Sequence, residues 1–151
     1  VAISPDGQIL ASGGSDDTIK LWRLKTRHEF QNFKANTSGV SSVRFSPNGE
    51  LIASSGGDAT IKLWNVTTKK EIRTLKGHVL EVYSIAFSPD GQTIASASLG
   101  GSIKLWNVQT GNELLTLKGH KGAVNSVRFS PDAKMIASCS NDENIRIWQN
   151  E

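Results

Sequence analysis

The sequence predicts an all-β protein assembled from stacked copies of one small antiparallel sheet. Three observations carry that expectation. All four prolines, Pro5, Pro47, Pro89 and Pro131, recur every 42 residues, and so do all four tryptophans, Trp22, Trp64, Trp106 and Trp148. A period of that size marks stacked supersecondary units and has to be settled before any local reading. Within each copy the apolar residues fall in short runs rich in Ile, Val, Phe, Trp and Thr, bounded by Gly, Pro, Asn or Asp, which favours strands over helices.

Residues 37–78 serve as the reference copy. "VSSVRF", "LIASS", "TIKLWNV" and "EIRTLK" are four such runs, read as strands a, b, c and d. Between a and b lies Ser-Pro-Asp-Gly or a close variant, in which Pro presets φ, Asp suits the next position and Gly takes the left-handed conformation that follows. The fourth copy carries Ala133 where the others have Gly. There the turn is expected to open differently, because a left-handed Ala costs about 1–2 kcal/mol. Strand a repeats as Val40, Val43, Phe45, then Val82, Ile85, Phe87, then Val124, Val127, Phe129. The first step of three breaks the two-residue alternation, which predicts a bulge near Ser41, Tyr83 and Asn125. Ser42, Ser84 and Ser126 are small, as a strand covered on both faces requires.

Composition narrows the function classes. The formal charge is +3, but Lys20, Lys62, Lys104 and Arg146 share one repeat position, which reads as a solvated strand end rather than a nucleic-acid footprint. The one cysteine, Cys139, cannot form an internal disulfide, so a cytoplasmic setting is the default and Cys139 reads as a small buried hydrophobe. No apolar run is long enough to span a membrane, and neither leader nor membrane attachment is expected. The acidic turns Asp16-Asp17, Asp58 and Asp142-Glu143 lack the alternating oxygens of a calcium loop, and His28 has no second ligand at metal spacing. No metal or cofactor is expected.

In order and spacing the residues resemble the WD-repeat β-propeller family, through "LKGH" (75–78 and 117–120), "FSPDG" (87–91), "IASCSND" (136–142) and "IKLW" (61–64 and 103–106). The family's Trp-Asp is here Trp-Arg at Trp22, Trp-Asn at Trp64 and Trp106, and Trp-Gln at Trp148. The resemblance implies a β-propeller of four-stranded antiparallel blades around a channel, with strand a innermost and strand d at the rim. The expected blades are residues 1–34, 37–76, 79–118 and 121–149, the first truncated at its N-terminal end and the last without its outer strand. Aligned copies pair Val1 with Val43, so residue 1 reads as a cut and residue 151 as a genuine end. Four blades leave the ring incomplete, to be closed by missing blades of a longer chain or by a second copy in an eight-bladed ring.

The resemblance also implies a buried hydrogen-bond network of Ser, His, Asp and Trp in each blade. The fourth blade has the full set, His120, Ser138, Asp142 and Trp148. The third has His78, Ser96 and Trp106 but Gly100 for the acid, and the second has Ser54, Asp58 and Trp64 but Asn36 for the His. The first has Ser12, Asp16 and Trp22. Ser138, His120 and Asp142 could be mistaken for a hydrolase triad, but a nucleophile needs exposure and a unique setting, whereas this set recurs.

Partner-binding positions implied by the family lie on the face of the d-to-a and b-to-c loops: Ser15; Gly39, Ser41 and Gly57; Glu81, Tyr83 and Leu99; Ala123, Asn125 and Asn141. The third blade alone combines a charge, an aromatic and an exposed Leu, so Glu81, Tyr83 and Leu99 are the expected hot spot, with Tyr83 as a channel cap the competing reading. The function expected is a non-catalytic scaffold for a protein or peptide, in the manner of bacterial signalling proteins with similar arrays. The alternative is a propeller enzyme or a small-molecule or glycan binder using the channel. That would require repeated acids, histidines or aromatic ledges facing inward, and the sequence shows none.

Overall fold

In the computed structural model, which describes residues 1–149, the chain folds into fifteen strands with no helix among the described residues. The first sheet contains β1 (Ala2–Ile3), β2 (Ile9–Gly13), β3 (Thr18–Arg23) and β4 (His28–Lys34). The second contains β5 (Val40–Phe45), β6 (Leu51–Gly56), β7 (Ile61–Asn65) and β8 (Glu71–Leu75). The third contains β9 (Val82–Phe87), β10 (Thr93–Ser98), β11 (Ile103–Asn107) and β12 (Glu113–Leu117), and the fourth β13 (Val124–Phe129), β14 (Met135–Ser140) and β15 (Ile145–Gln149). Within each sheet the strands pair antiparallel in chain order, as short hairpins dictate.

The a-to-b turns explain the register. Gly7, Gly49 and Gly91 adopt φ of 70°, 75° and 72°, and each N–H donates back to Ser4, Ser46 or Ser88. Ala133 overturns the expectation set out above. Its φ is 59° and its N–H donates to Ser130 O at 3.0 Å, so the fourth turn copies the other three. The reason is local over-determination. Ser130 Oγ donates to Asp132 Oδ1 at 2.6 Å, and the same carboxylate accepts from Lys134 N at 3.1 Å. Met135 N in turn donates to Ser130 Oγ at 2.9 Å. Three such bonds, each of about 1 kcal/mol, outweigh a left-handed cost of about 1–2 kcal/mol.

In β5 and β13 the pairing register skips one residue between Val40 and Ser42 and between Val124 and Ser126, and in the third sheet Val82 and Ser84 pair with Ser98 and Ala97. The bulges re-aim the first Val of each strand toward the neighbouring sheet.

The core lies between sheets. Ala11, Ile19 and Leu21 of the first sheet pack on Val40, Val43, Ile52 and Trp64 of the second. Ala53, Ile61, Leu63 and Leu75 meet Val82, Ile85, Ile94 and Trp106, and Ala95, Ala97 and Ile103 meet Val124, Val127 and Ile136. Each buried Ile or Leu contributes about 1.5–3 kcal/mol. The contacts run in series from the first sheet to the fourth, and the four sheets form an arc that does not close. Consequently the last sheet has an uncovered face. Ile145 is 76% exposed, although its counterparts Ile19, Ile61 and Ile103 are fully buried. Cys139 lies on that face, half-buried rather than enclosed as its strand position had indicated.

Candidate functional site

Three innermost strands and the loops at one end of them form a rim, and the rigidity of that rim comes from side chains beneath it. In the fourth sheet Trp148 Nε1 donates to Ser138 Oγ at 2.8 Å, and Ser138 Oγ lies 2.8 Å from His120 Nε2. His120 Nδ1 lies 2.9 Å from Asp142 Oδ2. An indole nitrogen only donates, so the Ser138 hydroxyl accepts from it and gives its own proton to Nε2, leaving the proton on Nδ1 for the carboxylate. Asp142 also accepts from Lys121 N at 2.8 Å and Asn144 N at 3.0 Å. Removal from water opposes its charge, but the Lys121 amide, the His120 ring and the Asn144 amide together hold the carboxyl well below the usual range.

The second sheet builds the same network from different atoms, and Asn36 is not the gap that the sequence indicated. Ser54 accepts from Trp64 Nε1 at 2.9 Å and donates to Asn36 Oδ1 at 2.7 Å. Asn36 Nδ2 then donates to Asp58 Oδ1 at 3.0 Å, with Thr60 O and Oγ1 in reach. An amide offers an acceptor on one side and a donor on the other, as a neutral imidazole does. Asp58 is lowered from its ordinary range because bonds from Asn36, Thr60 and Thr37 overcome the cost of burial.

In the third sheet Ser96 accepts from Trp106 Nε1 at 2.7 Å and sits 2.7 Å from His78 Nε2. Gly100 provides no acid, so Nδ1 has no protein partner among the described residues. Burial first, and then the charge of Lys104, push His78 down to about 4 against the pull of Glu113. A groove of about 420 Å³ opens beside it, lined by His78, Val79, Leu80 and Gly100 among others. In the first sheet Trp22 Nε1 donates to Ser12 Oγ at 3.0 Å, while exposed Asp16 pairs with Lys20 at 3.2 Å and Thr18.

The loop-face residues are brought together in part. Ser41 Oγ donates to Glu81 Oε1 at 2.6 Å, tying the second sheet to the third. Asn125 Nδ2 donates to Asn141 Oδ1 at 2.6 Å within the fourth. Leu99 N donates to Glu81 O at 2.9 Å, which sets those two residues side by side, and Tyr83 is half-buried nearby in β9. Gly39 N is held by Asp17 Oδ1 at 2.7 Å, and a Cβ on that glycine would lie 3.6 Å from Cα of exposed Ser15. Ala123 is buried, its O accepting from Asn141 N, and half-buried Gly57 donates to Gly39 O.

Two residues on this rim escaped the sequence reading. Val79 is 90% exposed and Leu80 46% exposed, beside Leu99 at 40%. The signal was present: this d-to-a loop reads "HVLEV" where the next reads "HKGAV".

Serially packed antiparallel sheets of four strands, the last with three, each pinned from within by an indole on a hydroxyl and three of them also by a ring or amide, define a WD-repeat β-propeller domain. The chain belongs to the CAF1B/HIR1 beta-propeller domain family, whose profile matches residues 9–151. It is also similar to the "U3 snoRNP-associated protein-like YAOH" of Oryza sativa subsp. japonica, 40% identical over 45 residues. A second relative is the "U3 snoRNP-associated protein-like EMB2271" of Arabidopsis thaliana, 42% identical over 45 residues. Each of these matches covers 30% of this chain and 9% of the relative. Domains of this class are typically protein-interaction scaffolds.

Proposed function

We propose that this chain is a non-catalytic scaffold that binds a protein or peptide on the loop face of its third sheet. The observation that carries the reading is the exposed aliphatic group Val79, Leu80 and Leu99 beside Tyr83 and Glu81. Isolated exposed aliphatics are ordinary, but a cluster flanked by an aromatic and a charge has the make-up of an interface anchor. Its backbone is held from below by Ser98 Oγ, which donates to Leu80 O at 3.0 Å, so the anchor is pre-organised.

The geometry of Ser138, His120 and Asp142 could be taken for a nucleophile, base and orienter. Ser138 is only 3% exposed, and its oxygen already accepts the Trp148 N–H. Such a hydroxyl has neither access nor a free lone pair directed at a substrate, which supports a structural role. The relatives are named for association with a ribonucleoprotein, but they match over about one repeat, so the likeness supports the repeat and leaves that assembly aside.

The uncovered face of the fourth sheet, with Ile145 and Ile147 at 76% and 60% exposure, supports a second contact of a different kind. It carries the residue types that face the next sheet at each internal junction, so it fits another sheet of this kind, from further blades or from a second copy. The experiment for the loop-face reading is binding of a captured partner to Leu80→Asp and Leu99→Asp variants. Both should lose binding while Gln92→Asp, at the opposite end of the sheet, keeps it.

A further inference from the structure

At the end of the innermost strands remote from the loop face, a groove of about 400 Å³ opens between the four Ser-Pro turns. The residue just before the closing Phe of each innermost strand is Arg44 in β5, Ala86 in β9 and Arg128 in β13, and all three line the groove. Ala86 leaves space between the two arginines. Their polar contacts are few. Arg44 Nη1 donates to Val43 O at 2.8 Å, and Arg128 Nη1 donates to Val127 O at 2.7 Å and Ser84 Oγ at 3.3 Å. Each guanidinium has five N–H donors, so most remain unused.

Neither arginine has a carboxylate partner among the described residues, where the ion pairs are Lys20–Asp16, Lys62–Glu71, Lys104–Glu113 and His120–Asp142. Glu50, the acid closest to Arg44 in sequence, accepts from Asn48 Nδ2 at 2.9 Å, and the acids of the Ser-Pro turns around the groove are engaged as well. Asp6, Asp90 and Asp132 accept from Ser4, Ser88 and Ser130 and from the backbone of their own turns. Two like charges therefore share one groove without a counter-charge. Arg44 is held below its ordinary range, first by burial and then by the charge of Arg128, so an anion between them would relieve both effects. Phe45, Phe87 and Phe129 supply apolar walls; Arg44 is half-buried among them and Arg128 is exposed at the open mouth of the groove.

We propose that this groove binds an oxyanion carried by an acidic peptide, held between the guanidinium groups of Arg44 and Arg128. The site is distinct from the loop face, because a six-residue strand separates the two ends by roughly 20 Å. Carboxylate and phosphate share the geometry that a guanidinium recognises in pairs of parallel bonds.

The test is fluorescence anisotropy of the full chain with three rhodamine-labelled hexapeptides: alternating Glu and Gly, alternating Gln and Gly, and the same frame with phosphoserine. The Glu or phosphoserine peptide should bind, and the Gln peptide should bind roughly tenfold more weakly or not at all. Arg44→Gln and Arg128→Gln should each weaken binding roughly tenfold, Arg44→Lys should recover only part of it, and Arg27→Gln on the exposed rim should change nothing. Thermal melts identify any variant that fails to fold, and Arg44→Lys then decides the matter. Preference for Glu over phosphoserine, or the reverse, assigns the source of the anion. Binding that ignores both arginines, or an acidic peptide bound no better than the Gln peptide, would overturn the proposal.

Discussion

Replacing Gly100 by Asp should complete the third network. The substitution is sterically admissible. A Cβ on Gly100 would meet only Leu80 Cδ1 and Ser98 Oγ, both at 3.8 Å, and its φ is not positive. By analogy with Asp142, the new carboxylate would face His78 Nδ1 and the amides of Val79 and Ser102. Charge-assisted bonds contribute about 1.5–3 kcal/mol each before desolvation of the acid, and removing a glycine from the unfolded chain adds about 0.4–1 kcal/mol. A net gain of about 2 kcal/mol is expected, which for this size of chain raises Tm by roughly 4–8 °C. The neighbouring negative charge should also lift His78 from about 4 by roughly 1–3 pH units. Calorimetry at pH 7 and an NMR titration of the imidazole read the two effects separately. An unchanged or lower Tm, with His78 still titrating near 4, would refute the reasoning.

Three further outcomes follow from the same geometry. His78 is neutral in the fold and titrates at about 4 against 6.5 unfolded, so its contribution is complete above pH 6.5 and is lost as pH falls toward 4. That loss amounts to about 3 kcal/mol, measurable as a fall in stability over that window that His78→Gln should remove. Ser138→Ala strands both Trp148 Nε1 and His120 Nε2, at a cost of about 2–4 kcal/mol and a drop in Tm of roughly 4–16 °C, whereas a catalytic role would predict lost activity without lost stability. Ala133→Gly relieves the left-handed strain but frees the unfolded chain, for a net gain of about 0.5–1 kcal/mol in denaturant melts.

Much of the fold was legible because the repeat position of each residue carries its physics. The three-residue step from Val40 to Val43 announced a bulge, and the Gly of each Ser-Pro turn announced a left-handed φ. What escaped were features set by pairs of atoms rather than residue types. Asn36 substitutes for His because one amide can accept from Ser54 and donate to Asp58, with Thr60 as a further acceptor. Ala133 takes the glycine conformation because three side-chain bonds fix the turn around it. Arg44 and Arg128 stand two repeats apart, and only the curvature of the arc brings them to one groove with Ala86 between them. Cys139 is half-exposed because no sheet among the described residues covers the outer face of the fourth.

The loop face is tested most directly by a photoreactive amino acid placed at Tyr83, with the same group at Gln92 on the opposite end of the sheet as reference. A partner site on the loop face predicts a protein or peptide cross-linked from position 83, absent from position 92, and lost when Leu80→Asp is introduced. Equal cross-linking from both positions, or cross-linking from 92 alone, would contradict it.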